Sequence, residues 1–405
     1  MDTLTARGQS QAQIQPGHPG LHSRERCEDA MTTTTEKRPA YDVGLNLVRV
    51  DDPRGQLYNW MTNRAHAVHG DGTGLRPIGD SLADRPFTWT QFAGWSPDGN
   101  TAIVLRVWES PENYAWEREH REFRFGDGWL VDCCLVDYRT GEARNLTAID
   151  HVSRYNTGLF YWPNDPLRLG FQALIDGVSH PFSMDLDGRN KRDLSEGVSG
   201  FTYGFSASPD GKSIAYHKEY QVYIAEADGS KAQPVPTGNP FQFAPAWSPD
   251  GEYLLFLDGE HYDCHPTIVR RDGSGLRRLA SRNGYRGVVQ TLVHPDFHSE
   301  SSDGPVWSAD SQWVYYTAKM EDAVELMRVS LGGDVQRLTR SAPGVSHYHP
   351  RVSFDGAWVL VGSNRENARG AWVMRADGSD PYPLLDVPAG HAALHAYWRP
   401  VRACN

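Results

Sequence analysis

Short runs of residues bounded by turn sequences recur along this chain. The stretch 246–280 reads AWSPDGEYLLFLDGEHYDCHPTIVRRDGSGLRRLA and holds four such runs. Pro249-Asp250-Gly251 and Asp272-Gly273 are tight-turn sequences, because proline fixes one backbone angle and glycine permits the left-handed region. Short runs between such turns favour strands. We therefore predict strands in the ranges 246–248, 253–257, 267–271 and 276–280.

Copies of this four-stranded unit follow one another along the sequence. The first turn appears as Trp95-Ser96-Pro97-Asp98-Gly99 and returns in related form at 162–165, 208–211, 247–251, 307–311, 353–356 and 397–400. Neighbouring copies lie between 40 residues apart (Pro209 to Pro249) and 66 residues apart (Pro97 to Pro163). Loop insertions at 113–128 and 285–303 account for the long intervals. Four strands in each repeat of roughly 45 residues is typical of β-propellers.

The pattern predicts an all-β fold, a seven-bladed β-propeller of four-stranded antiparallel blades, with six or eight blades as alternatives. The last copy ends at Trp398, almost at the end of the chain. Its missing strands are expected to come from the segment Val43 to Ile78. N- and C-terminal strands would then share one blade and close the ring, which removes exposed sheet edges.

The amino-acid composition limits where this protein is expected to reside and which partners it is expected to bind. Residues 1–38 are polar and predict a disordered extension, and residues 39–405 predict one propeller domain. We see no signal peptide and no apolar run of 18 residues, so we expect a cytoplasmic protein without a membrane partner. The net charge of -11 argues against nucleic acid. The odd number of cysteines, five, argues against a disulfide framework.

The histidines of the repeats fall at equivalent places. They lie after second strands or ahead of first strands, which share one rim of a propeller, and away from the turn motifs. His347 and His349 alternate in an extended segment, so both imidazoles are expected on one face. Such a pair suits one metal ion, and His298, ahead of the neighbouring blade, is the expected third ligand, with His294 as a substitute.

A second group of soft and borderline ligands favours zinc. It consists of His217, His261, Cys264 and His265. A polar rim loop with a buried thiol is the alternative. Tyr203, Lys218, Lys319 and Arg365 are further rim candidates for binding substrate, and for the cations a salt bridge at the rim is the simpler interpretation.

Two resemblances make these expectations more specific. AWSPDGEYLLF and VWSADSQWVYYTA resemble the repeat of TolB-type propellers over about residues 88–400. HYHPRVSFDGAWVLVGSNRE resembles the metal-binding region of oligogalacturonate lyases, which are seven-bladed propellers. GEHYDCHP, after AYHKEY, resembles propeller-type ulvan lyases, in which zinc supports the site.

The lyase resemblance implies a divalent ion, manganese or zinc, and assigns residues to it. The HxHP histidines match His347 and His349, and the earlier ligand matches His298. Gly344 stands where the family has a glutamine ligand, so that ligand is missing. The family base falls in the blade of His261 or His265.

The expected reaction is metal-assisted β-elimination on an acidic oligosaccharide that contains uronate, as in pectin degradation. A cation neutralises the uronate carboxylate while a base removes the neighbouring proton. We assign His261 as the base, with His217 second, and Lys218 or Arg365 to a second carboxylate. A non-catalytic interaction propeller is the alternative. A glycoside hydrolase would need two rim carboxylates, and Glu260, Asp263 and Glu300 make no convincing pair.

Overall fold

The Ser-Pro-Asp-Gly motif forms a turn that is held by its own side chains. Ser96 Oγ donates to Asp98 Oδ1 (2.6 Å) and accepts the backbone N–H of Thr101 (2.9 Å), where the next strand begins. Gly99 has a φ of 69°, in the left-handed region, and a Cβ there would lie 2.1 Å from the backbone oxygen of Pro400. The same Ser–Asp bond recurs in four further repeats. These local bonds explain why the motif recurs.

The strands assemble into seven four-stranded antiparallel blades, as predicted. The structure is a computed structural model and describes residues 38–49, 63–120, 128–146, 160–175, 178–195, 202–260, 263–286, 303–367 and 369–400. Strands are numbered in chain order. The strands of each blade are given from the innermost outward.

Blade 1 contains β28 (His391–Trp398), β1 (Asp42–Arg49), β2 (Arg64–His69) and β3 (Arg76–Pro77). Blade 2 contains β4 (Thr88–Trp95), β5 (Thr101–Glu109), β6 (Trp129–Asp137) and β7 (Ala143–Asn145). Blade 3 contains β8 (Phe160–Tyr161), β9 (Arg168–Ile175), β10 (Val178–Asp185) and β11 (Arg192–Asp193). Blade 4 contains β12 (Thr202–Ala207), β13 (Ser213–Lys218), β14 (Gln221–Glu226) and β15 (Gln233–Pro234). Blade 5 contains β16 (Phe241–Trp247), β17 (Tyr253–Glu260), β18 (Asp263–Arg270) and β19 (Arg277–Arg278); blade 6 contains β20 (Val306–Trp307), β21 (Trp313–Met320), β22 (Ala323–Ser330) and β23 (Val335–Arg337); blade 7 contains β24 (His347–Val352), β25 (Trp358–Ser363), β26 (Gly370–Arg375) and β27 (Tyr382–Pro383).

The two ends of the chain close the ring in blade 1, as the truncated last repeat predicts. The C-terminal strand β28 is innermost and pairs with β1, with Val43 opposite Trp398 and Arg49 opposite His391. Asp42 adds side-chain contacts across the closure, because Arg399 Nη1 lies 2.9 Å from its Oδ2. Residues 50–62 of the segment expected to supply these strands lie outside the described residues.

Apolar side chains pack between neighbouring blades. One cluster joins blades 2 and 3 through residues such as Trp89, Leu105 and Phe171, and another joins blades 7 and 1. Burial of a large apolar side chain stabilises a fold by about 1.5–3 kcal/mol. Indole N–H groups add a regular inter-blade bond to a backbone oxygen of the preceding blade: Trp95 to Tyr397 (3.3 Å), Trp307 to Ala246 (3.1 Å) and Trp398 to Arg351 (3.1 Å).

The first predicted loop insertion contains a helix, α1 (Pro111–His120). Ser110 caps it, because Ser110 Oγ accepts the backbone N–H of Asn113 (3.1 Å), and proline suits the first helical position. Most of the second insertion, residues 287–302, lies outside the described residues. The predicted N-terminal extension also lies outside them up to residue 37. Within the described part of the chain, no helix has the length and apolar character needed to cross a membrane.

Candidate functional site

The strand register places those predicted histidines that the structure describes at one end of the ring. Thr202, at the start of β12, pairs with Lys218, and His347, at the start of β24, pairs with Ser363. We call this side, with the starts of the innermost strands, the histidine end, and the side of the Ser-Pro-Asp-Gly motifs the turn end. His217, His265, His347, His349 and His395 all belong to the histidine end.

The innermost strands are bulged near this end. A residue with positive φ interrupts four of them: Gly204 (63°), Ala244 (50°), His349 (50°) and His395 (51°). A bulge re-aims the side chain that it carries. A left-handed backbone costs a non-glycine residue about 1–2 kcal/mol, so the two histidines are held there by their surroundings.

His349 meets the neighbouring blades on both sides. Its backbone N–H donates to Asp303 Oδ1 (2.7 Å), just ahead of blade 6. Its ring stacks on His395 of blade 1, with ring centroids 4.8 Å apart and planes 27° apart. Burial, together with the charge of Arg351, lowers the pKa of His349 to about 3. The ring is therefore neutral near pH 7, and its Nδ1 is buried without a hydrogen-bond partner among the described residues.

His347 lies in a polar network with blade 6. Its Nε2 is 3.0 Å from Ser341 Oγ and 3.8 Å from Glu325 Oε2. Ser341 donates its one hydroxyl proton to Glu325 Oε2 (3.2 Å), so His347 Nε2 is the donor toward Ser341. This leaves His347 Nδ1 unprotonated, and it too is buried without a hydrogen-bond partner in the described structure. Burial and the charge of Arg365 lower the pKa of His347 to about 4, against the influence of Glu325.

The alternation expected for the two imidazoles does not continue through the bulge. The pairing register between β24 and β25 shifts after Tyr348. As a result, His347 contacts Glu325 of the preceding blade, whereas His349 stacks on His395 of the following blade. The sequence gives the spacing of the two histidines but no signal for this bulge.

The second predicted cluster has separate contacts for each described member. Cys264 is buried, burial raises the pKa of its thiol to about 12, and the thiol donates to the backbone oxygen of Phe241 (3.7 Å). His265 Nδ1 accepts the backbone N–H of Arg282 (3.2 Å). His217 is 2% exposed and packs edge-on against Phe243, with ring centroids 5.4 Å apart. His261 lies outside the described residues.

The predicted substrate-binding residues lie around the same end. Lys218 ends β13 and is half-buried, and Lys319 is exposed near the end of β21. Arg365 follows β25, donates to Ser341 Oγ (3.1 Å) and lies over the ring of Trp372 (5.2 Å). The side chain of Tyr203 is not among those described, and the roles of the four residues stay predictions.

A buried ion pair that sequence reasoning missed supports the bulge at His349. Arg282 and Asp303 are 1% and 2% exposed, and their nearest charged atoms are 3.8 Å apart. Thr317 also donates to Asp303, and Arg282 donates to the backbone oxygen of Thr317 (3.1 Å). Burial raises the pKa of Asp303, against the influence of Arg282 and Thr317. Nothing in the sequence marks these two charged residues as buried.

The described residues do not provide a complete set of ligands for a metal ion. They contain no group of three or more His, Cys, Asp or Glu side chains that could hold a metal ion. His298, the predicted third ligand, and His294 fall in 287–302, outside the described ranges. The assignment of His298, His347 and His349 to one metal therefore stays a prediction. His347 and His349 each fit as donors, because each is neutral and keeps one ring nitrogen without a partner.

These observations define a seven-bladed propeller with a histidine-lined end. No protein-family model matches the chain. It is 24% identical over 209 residues to the uncharacterized protein Atu1656 of Agrobacterium fabrum, across 48% of the chain and 64% of that protein. It is 26% identical over 77 residues to the Tol-Pal system protein TolB of Hydrogenovibrio crunogenus, across 19% of the chain and 18% of TolB. The chain thus spans less than two thirds of these relatives.

Solved structures share the fold at low identity. An oligogalacturonate lyase in complex with manganese matches with a TM-score of 0.55 and 12% identity, across 87% of this chain and 89% of that one. A prolyl endopeptidase structure matches with a TM-score of 0.55 and 10% identity, across 85% of this chain and 50% of that one. Likeness at this identity establishes the propeller fold, which lyases and peptidases share, and no particular reaction.

Proposed function

We propose that this chain is a lyase that cleaves uronate-containing oligosaccharides by metal-assisted β-elimination at the histidine end. One observation carries the proposal: His347 and His349 are neutral imidazoles, each with a buried ring nitrogen that lacks a hydrogen-bond partner among the described residues. A buried polar atom without a partner destabilises a fold by about 1–3 kcal/mol. Two such atoms in one strand favour a ligand that uses them.

A divalent cation, manganese or zinc, suits these nitrogens, and His298 is the proposed third donor. When bound, such an ion would neutralise the uronate carboxylate and so acidify the neighbouring C–H. His395 is the nearest further imidazole, since its ring stacks on His349. Asp303 holds the bulge that carries His349, through the backbone N–H bond of 2.7 Å.

The remaining steps fall to residues around the same end. We propose His261, the residue after the last residue of β17, Glu260, as the base that takes the C5 proton. The C4–O bond then breaks as the C4–C5 double bond forms, and water protonates the leaving oxygen. His217, the second candidate, is 2% exposed and packs against Phe243. Lys218 or Arg365 would pair with a second carboxylate of the substrate.

The test is direct. Purified protein is incubated with oligogalacturonate, and then with ulvan and glucuronan fragments, while the absorbance of the unsaturated uronate product is followed with and without a chelator. We expect activity on one of these substrates, its loss in the chelator, and its loss in His349→Ala. His391→Ala, which removes an imidazole from the same strand end in blade 1, is the matched control and keeps activity. No product from any uronate would exclude the lyase.

A non-catalytic interaction propeller is the second candidate. It is favoured by an apolar pocket at the turn end, described below. Elemental analysis separates the two candidates: about one manganese or zinc ion per chain, lost in His349→Ala and kept in His391→Ala, supports the enzyme. Metal-free protein that also lacks activity after metal is added supports the interaction propeller.

A further inference from the structure

A pocket opens at the turn end, opposite the histidines. Its volume is about 710 Å³, within the usual range for ligand pockets. Four blades contribute a proline from the equivalent turn, namely Pro97, Pro163, Pro209 and Pro249, and Trp162 and Trp247 complete the apolar wall. The repeated turn motif has therefore brought proline rings and indoles together on one surface.

The regular inter-blade bonding of the indoles is interrupted at this pocket. Trp95, Trp307 and Trp398 each donate to the preceding blade. Trp162 instead donates forward, to the backbone oxygen of Gly211 (3.1 Å). Trp247 is 8% exposed, and its Nε1 has no hydrogen-bond partner among the described residues. The pocket wall thus contains a buried N–H donor that the fold leaves unused.

The wall beside these indoles is braced by a hydrogen bond between two turns and contains one exposed carboxylate. Asn164 Nδ2 donates to the backbone oxygen of Pro209 (2.7 Å), which ties the turns of blades 3 and 4 together. Asp165 lines the pocket, is exposed and forms no salt bridge with a described residue. Leu167, two residues after Asp165, is 69% exposed. Exposed apolar surface of this kind marks interaction sites.

We propose that this pocket binds an extended, proline-rich peptide that carries basic residues. A polyproline II segment has no internal hydrogen bonds, so its carbonyl oxygens are free to accept an indole N–H. Its proline rings pack on flat aromatic and proline surfaces, as in other recognition of proline-rich segments. Its lysine or arginine side chains would meet the exposed carboxylate of Asp165. The proposal is independent of the lyase, whose substrate would bind at the other end of the ring.

The experiment uses the full chain and a fluorescein-labelled peptide of three Pro-Pro-Lys repeats, followed by fluorescence polarisation. A peptide of three Gly-Ser-Lys repeats has the same charge and is the reference. We expect the proline peptide to bind at least tenfold more tightly. Trp247→Phe keeps an aromatic ring but removes the N–H, and should weaken binding about three- to tenfold, whereas Trp398→Phe should bind as the wild type.

A substitution at an exposed residue provides a second test in case Trp247→Phe fails to fold. Asp165→Asn should weaken binding of the proline peptide and reduce its dependence on salt, with Asp187→Asn as the control outside the pocket. Equal binding of the two peptides would overturn the proposal, as would displacement of the proline peptide by oligogalacturonate. Unchanged binding in both Trp247→Phe and Asp165→Asn would overturn it as well.

Discussion

The buried imidazole of His347 should make folding stability depend on pH in a calculable way. Its pKa falls from the ordinary 6.5 to about 4 in the folded protein, first because of burial. In the unfolded chain the imidazole of residue His347 is therefore protonated near pH 6.5, whereas in the folded chain it is protonated only near pH 4. The contribution to stability is complete above pH 6.5 and is lost as the pH falls toward 4. At about 1.4 kcal/mol per pH unit, the loss between pH 6.5 and 5 is about 2 kcal/mol.

Urea unfolding, followed by tryptophan fluorescence at pH 7.5, 6.5, 5.5 and 5.0, measures this contribution. His347→Gln removes the titrating group and keeps a donor for Ser341. The free-energy gap between wild type and His347→Gln should shrink by about 2 kcal/mol from pH 6.5 to 5. His391→Gln, at the same end of the ring, should keep the wild-type slope. The reasoning is refuted if His347→Gln and wild type lose stability in parallel over this range.

Three further predictions test other parts of the structure. Asp303→Ala leaves Arg282 buried without its partner and should lower the free energy of unfolding by about 3–5 kcal/mol, whereas the exposed Asp187→Ala should change it by less than about 1 kcal/mol. Gly378 has a φ of 87°, and a Cβ there would lie 2.3 Å from the backbone oxygen of Leu338. A Cβ at Gly141 would have no neighbouring heavy atom within 4 Å. Gly378→Ala should therefore destabilise the protein more than Gly141→Ala. Cys264, with its pKa raised to about 12, should resist alkylation at pH 8 until urea unfolds the protein, as mapped by mass spectrometry.

Each of these predictions has a clear contrary outcome. An Asp303→Ala protein as stable as wild type would show that the ion pair does not support the bulge at His349. Equal losses at Gly378 and Gly141 would leave only backbone strain and remove the argument from the close contact. Rapid alkylation of Cys264 in the folded protein would show that its strand opens readily.

The fold was predictable because its signals are local and repeated. Ser96, Asp98 and Gly99 bond among themselves and to the next strand, so the same residues make the same turn in every blade that has them. The truncated repeat at Trp398 predicted closure by the chain ends, because an unpaired blade edge would be unstable. The helix α1 was missed, because a 10-residue helix within a predicted loop leaves little trace in the spacing of the turns.

The histidine end was predictable in position and not in geometry. The spacing of His347 and His349 placed both at the start of an innermost strand, and the seven-bladed topology placed that strand beside blades 6 and 1. The bulge, the stacking of His349 on His395 and the burial of Arg282 with Asp303 depend on residues up to about 50 positions apart in the chain. Local pattern carries no signal for such contacts.

By itself, then, the sequence determined the repeat, the turns and the end of the ring at which the described members of the predicted histidines lie, because hydrogen bonds within a few residues decide those features. Only the tertiary structure decided which charges are buried, which ring nitrogens lack partners and where the indole bonding between blades is interrupted. Burial depends on what neighbouring blades place against a side chain, and that is settled only when the ring has closed.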